Sequence, residues 1–160
     1  MWFLSRLTRL APLVLWTTAV SAGDRVSIEA WSRATPPGAS TGAIYGTFSN
    51  TGDQVMQARE IRFNGAAHVM MHTTVHEAGM ARMRHGELRI DPGAVQALVP
   101  GGMHIMLMGL SAPIRENCSY EFAIAWQDGT ETTHRFLAGG FGQMQMPEAV
   151  SHGPDGAACP

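Results

Sequence analysis

No stretch between Val26 and Leu137 keeps a helical period; a cluster of turn-forming residues interrupts the chain about every 8–12 residues. Val26–Arg33 runs into Thr35-Pro36-Pro37-Gly38, and Ala43–Ser49 into Asn50-Thr51-Gly52-Asp53. Glu60–Phe63, Val69–Val75 and Met80–Arg84 follow, parted by Asn64-Gly65 and Glu77-Ala78-Gly79. Leu88–Ile90 meets Asp91-Pro92-Gly93, and Ala94–Val99 meets Pro100-Gly101-Gly102. The clearest hairpin is Ser119–Gln127, a two-residue Asp128-Gly129 turn, then Thr130–Leu137. Such punctuation leaves seven to nine short strands and no helix long enough to pack. An all-β antiparallel sandwich or barrel is the expected fold.

Both ends read as additions to that domain. Arg6 and Arg9 precede an apolar run from Leu10 to Val20, and Val20-Ser21-Ala22 supplies small residues for cleavage, so residues 1–22 have the pattern of an export signal peptide. The run is far shorter than the ~20 residues of a membrane-spanning helix. No transmembrane segment is expected after cleavage. No Cys follows the cleavage site, so a lipid anchor is not expected either. The domain is placed at residues 23–138, and the Gly-, Gln- and Pro-rich residues 139–160 form a flexible C-terminal tail. Net charge is −2, which argues against a nucleic-acid partner. Cys118 and Cys159 belong to no CxxC; they can pair in an oxidising compartment or stay free.

Composition matters at one place. Residues 68–108 hold seven Met and five His, 12 of 41 positions. Met often fills irregular cores, but packing alone seldom needs so many together beside imidazoles. In His104-Ile105-Met106-Leu107-Met108, alternation puts His104, Met106 and Met108 on one face of a strand. If Val69–Arg84 folds back about Glu77-Ala78, residues whose numbers sum to 155 are opposed, and His72 faces Met83. Two imidazoles and two thioethers make a neutral, soft donor set that suits Cu(I) better than Zn(II). An electron-transfer copper centre would need a Cys thiolate with two His, and Cys118 has no suitable His and Met after it. No nucleophile–base arrangement, carboxylate pair or phosphate loop is present, and an enzyme is not expected.

The segment Val99-Pro100-Gly101-Gly102-Met103-His104-Ile105-Met106-Leu107-Met108-Gly109-Leu110 closely resembles the signature of the periplasmic copper chaperone family of the PCuAC type. The resemblance extends to Ala30–Gly38, Gly42–Gly46 and Asn50–Asp53 and covers most of Val26–Phe136. The family pattern is a His, ten residues, a Met, about twenty-one residues, then His-x-Met. Here His72 and Met83 enclose ten residues, and Met83 and His104 enclose twenty, one short. Met70 and Met71 precede the first His, where the family often has acidic or polar residues.

The resemblance implies a cupredoxin-like antiparallel Greek-key β-sandwich. It also implies one Cu(I) held in an accessible site by His72, Met83, His104 and Met106, with His76, Met80 and Met108 as nearby auxiliaries. Met144, Met146 and His152 look like a reduced version of the family's Cu(II)-gathering tail. The implied role is a periplasmic, monomeric copper chaperone. It would hand copper to cytochrome c oxidase assembly through a Sco-type factor or an oxidase subunit. An electron-transfer cupredoxin or a copper storage or resistance protein is the alternative.

Overall fold

The computed structural model describes residues 25–77 and 79–147; residues 1–22, expected to be an export signal, and Ala78, His152 and Cys159 lie outside them. Ten strands carry the described chain: β1 Val26–Arg33, β2 Thr41–Asn50, β3 Met56–Arg62, β4 Ala66–Glu77, β5 Met80–His85, β6 Arg89–Ile90, β7 Val95–Leu98, β8 His104–Leu110, β9 Ser119–Trp126 and β10 Glu131–Gly139. No helix occurs among the described residues. The strands follow the order β5-β4-β8-β2-β1-β10-β9-β3-β6, with β7 also paired to β2. The all-β expectation holds, with ten strands against the seven to nine expected. β6, two residues long, and β7, four, fall within the expected Leu88–Ile90 and Ala94–Val99 segments.

One pairing departs from a wholly antiparallel sandwich. β1 lies antiparallel to β2 but parallel to β10, with Trp31 beside Leu137. That junction joins the two halves of the sheet, and their inner faces share one core. Ile44, Met71, Ile105 and Leu107 come from the β4-β8-β2 half, and Ile61, Phe122, Ile124, Trp126 and Phe136 from the β10-β9-β3 half. Phe63, Tyr120, Phe122 and Phe136 meet through ring contacts of 5.3–6.1 Å. Exposed ion pairs such as Arg62–Glu131 and Arg135–Glu121 contribute at most about 1 kcal/mol each. Burying the large side chains, at roughly 1.5–3 kcal/mol apiece, holds the sandwich together.

The β9–β10 hairpin is looser than expected. Glu131 pairs with Ala125, the Gly129 N–H donates to the Trp126 carbonyl, and the Trp126 N–H donates to the Thr130 carbonyl. Asp128 is not left-handed, since Asn117 is the sole non-glycine residue with positive φ among those described. The paired two-residue turn therefore gives way to a three-residue loop, Gln127-Asp128-Gly129. The Asp128 carboxylate explains the preference: it accepts from Thr130 N–H at 2.9 Å and from Arg25 at 2.7 Å. Asp128 is held below the usual carboxylate range by its hydrogen bonds to Thr130 and by Arg25.

Beyond β10, the described start of the C-terminal segment lies against β1. Arg33 Nε donates to the Gln143 carbonyl, and Arg33 Nη2 approaches the Met144 sulfur at 2.8 Å. Cys118 is buried and disulfide-bonded.

Candidate metal centre

β8 leaves the Gly101-Gly102 turn and runs antiparallel to β4 with His72 opposite His104, Met70 opposite Met106, and His68 opposite Met108. All six positions share one face, because both strands alternate with period two. The opposite face carries Val69, Met71, Ile105 and Leu107 into the core. Apolar alternation on the inner face thus fixes which side the His and Met side chains occupy, as the His104-x-Met106-x-Met108 pattern indicates.

His104 is the buried anchor, at 5% exposure. Its Nδ1 lies 3.0 Å from the Gly102 carbonyl. A carbonyl only accepts, so Nδ1 carries a proton, and Nε2 is the ring nitrogen left to face a metal. Outer hydrogen bonds of this kind orient metal-binding imidazoles. His72 is half-buried beside it, with ring centroids 6.0 Å apart at 86°. The His72 Nδ1 atom is buried without a hydrogen-bond partner. Desolvation, then the neighbouring His104 and His85 rings, hold the His72 pKa below the ordinary value, so at neutral pH this ring is an unprotonated donor. A buried, unsatisfied and neutral imidazole nitrogen fits a site that takes a soft cation.

The β4–β5 hairpin differs from the expected register. Glu77 pairs with Met80, Thr74 with Met83, and His72 with His85, so paired numbers sum to 157 rather than 155. Gly79 takes φ +78° in the loop, a conformation that L side chains seldom adopt. The turn is therefore centred on residues 78–79, not on Glu77-Ala78. A two-residue shift keeps every side chain on its face but moves it one pair along. His85 occupies the place opposite His72 (centroids 5.7 Å apart), and Met83 lies nearer the hairpin tip, 63% exposed. The need for glycine in the loop was the available signal for this register.

His85, exposed on the edge strand, completes a ring row across five strands: Trp31, Tyr45, His104, His72 and His85. Sequence spacing offered no sign of Trp31 and Tyr45, because each belongs to a strand remote in the chain. Burial raises the Tyr45 pKa against the opposing effect of Arg33, whose guanidinium lies over the Tyr45 ring at 5.7 Å. Among the remaining candidates, His76 lies on β4 opposite Ala81, Met80 is exposed at the start of β5, and Met108 is half-buried one pair beyond Met106. Met144 and Met146 are exposed in the C-terminal segment. Among the described residues, no three His, Cys, Asp or Glu side chains converge to hold an ion. A metal here needs thioether sulfur as well as imidazole.

A family model described as "Putative lipoprotein LpqE-like" matches residues 26–137. The protein named "Putative lipoprotein Lxx21020" from Leifsonia xyli subsp. xyli is 33% identical over 110 residues, 68% of this chain and 64% of that one. This chain therefore matches somewhat under two thirds of that relative's length. The solution structure of apo-DR1885 from Deinococcus radiodurans has a TM-score of 0.58 at 25% identity, covering 88% of this chain and 94% of that one. The CuI-DR1885 structure gives 0.59 at 28% identity, covering 72% and 78%. The apo PCuAC domain of PmoF2 shares the fold, with a TM-score of 0.63 at 19% identity over 76% of this chain and 94% of that one.

Proposed function

Because the chain belongs to the LpqE-like family and resembles PCuAC-type copper chaperones, we propose that it is a copper carrier. The ion is Cu(I), bound by His72, His104, Met106 and a second thioether on the same face. One observation carries the reading. The His72–His104 and Met70–Met106 pairs are adjacent on neighbouring strands, so two imidazoles and two thioethers share one patch of one face. The donors are neutral and soft, which favours Cu(I). Of these donors only His104 is buried, and a carrier must release its cargo. DR1885 has been solved in a form named for Cu(I), which supports the same oxidation state here.

We further propose an exported, envelope-associated protein. The lipoprotein names of the family and of the Leifsonia relative and the export pattern in residues 1–22 support this. Delivery to cytochrome oxidase assembly through a Sco-type recipient rests on the PCuAC resemblance. The electron-transfer alternative is disfavoured because Cys118, the one cysteine among the described residues, is disulfide-bonded and offers no thiolate. Binding and transfer, rather than catalysis, is the role that fits these residues.

Anaerobic titration against a chromogenic Cu(I) chelator tests the reading. About one tight equivalent is expected, and its loss in the double variant H104A/M106A. A wild-type protein that takes no Cu(I), or a double variant with unchanged affinity, overturns it.

A further inference from the structure

Just past β10 the large apolar side chains of Phe141, Met144 and Met146 are all exposed. The backbone that carries them is nevertheless held. Ala34 N–H donates to the Gly139 carbonyl at 2.8 Å, and Gln143 N–H donates back to the Gly140 carbonyl at 3.1 Å. Arg33, whose guanidinium lies over the Tyr45 ring, donates from Nε to the Gln143 carbonyl and places Nη2 against the Met144 sulfur. Gly140, Gly142, Gln143, Met144 and Gln145 line an open hollow of about 520 Å³. Single exposed apolar residues are ordinary, but three in one held segment beside a hollow mark a contact surface.

The root of that segment points to what covers it. Cys118 is buried there: Ala138 N–H donates to the Cys118 carbonyl at 2.9 Å, and Asn117 N–H donates to the Ala138 carbonyl at 2.8 Å. Cys118 is disulfide-bonded, and Cys159 is the only other cysteine in the sequence. We infer that Cys118 is joined to Cys159, and that residues 148–158 return across the hollow and cover Phe141, Met144 and Met146. The returning stretch starts beyond Met146 and finishes at the root of the same segment, so it runs alongside it. Twelve steps of chain from Pro147 to Cys159 reach roughly 40 Å when extended, so length is no obstacle. Ala149, Val150, Ala157 and Ala158 supply small apolar side chains for a surface partly made of glycine. Forming the bond takes one hydrogen from each thiol and passes two electrons to an exchanging disulfide, which leaves as a dithiol. The closure fastens at both ends the strap that Arg33 clasps, and an excess of dithiol, running the exchange backwards, releases it. His72, His104 and Met106 take no part, so the inference stands or falls apart from the copper reading.

The pairing and the cover are tested separately on the whole chain. Trypsin leaves Cys118 in the peptide Glu116–Arg135 and Cys159 in Phe136–Pro160. Mass mapping without reduction is expected to find these two peptides joined. Both cysteines taking an alkyl label without reduction, or a disulfide-linked dimer on a non-reducing gel, overturns the pairing. Chymotrypsin under native conditions, cutting after Phe141, reads the cover. Cleavage there is expected to be several-fold faster in C159S than in the disulfide-linked wild type. Wild type reduced by a dithiol and alkylated should match C159S without any substitution, and thermal melting verifies that each form is folded. Equal cleavage in the linked and unlinked forms overturns the cover.

Discussion

His72 and His104 are directly opposed on β4 and β8, with ring planes at 86° and His104 locked through its Nδ1 to the Gly102 carbonyl. One ring is fixed and buried, whereas the other has an unsatisfied buried nitrogen. The pair is therefore organised before any ion arrives, and little ordering cost is left for binding.

Binding to the native state alone must stabilise it. At a free Cu(I) concentration a hundred times the dissociation constant, the gain is about 2.7 kcal/mol. For a domain of this size that is a rise of roughly 10 °C in melting temperature. Differential scanning calorimetry under anaerobic conditions should show it for wild type and lose it in H72A. A rise of equal size in H72A would exclude that ring from the site.

Stability should fall on mild acidification, partly through His134. Burial holds its pKa below the ordinary value of about 6.5. The unfolded chain then binds more protons than the folded one, so the contribution is complete above pH 6.5 and declines as pH falls from there towards the folded value. The Thr132 hydroxyl receives the Trp126 indole N–H at 2.9 Å and reaches His134 Nε2 at 2.8 Å, an arrangement that suits a neutral ring. H134Q keeps an acceptor for that hydroxyl without titrating. Urea midpoints measured between pH 7.5 and 5 should fall less steeply in H134Q, with His72 sustaining part of the remaining slope.

Thr132 itself is the buried middle link of that chain of hydrogen bonds. Replacing it with Val preserves shape and leaves the Trp126 indole N–H, fully buried, without an acceptor. A loss of about 1–3 kcal/mol is expected, read as a lower urea midpoint with an unchanged slope. A neutral result would mean the indole finds another acceptor.

Gly46 adjoins Tyr45 and pairs with Ala30 across β1 and β2. A Cβ there would lie 2.1 Å from the Glu29 carbonyl oxygen, and φ is +148°. Gly46→Ala forces the backbones apart and shifts Tyr45 relative to His104. The expected cost is roughly 2–4 kcal/mol, with weakened Cu(I) affinity in whatever protein still folds. Retained stability and affinity would show that β1 yields without disturbing the ring row.

Much of the sandwich and one half of the site were legible in the chain. Turn clusters located the strands around the site to within a few residues, because Gly, Pro, Asn and Asp act locally. Alternation placed His104, Met106 and Met108 on one face for the same reason: period two is a property of a single strand. Pairing is not. The hairpin register depended on which residue takes a left-handed conformation in the loop, and Gly79 decided it. That shift of two residues exchanged Met83 for His85 opposite His72. Trp31 and Tyr45 joined the ring row through β1 and β2, whose closeness to β8 follows from the sheet order alone. The sequence by itself therefore determined the all-β class, the donor chemistry and the face that carries it. Tertiary structure alone decided which donors are neighbours, because cross-strand distance is set by register and strand order, and neither is written in the spacing of one segment.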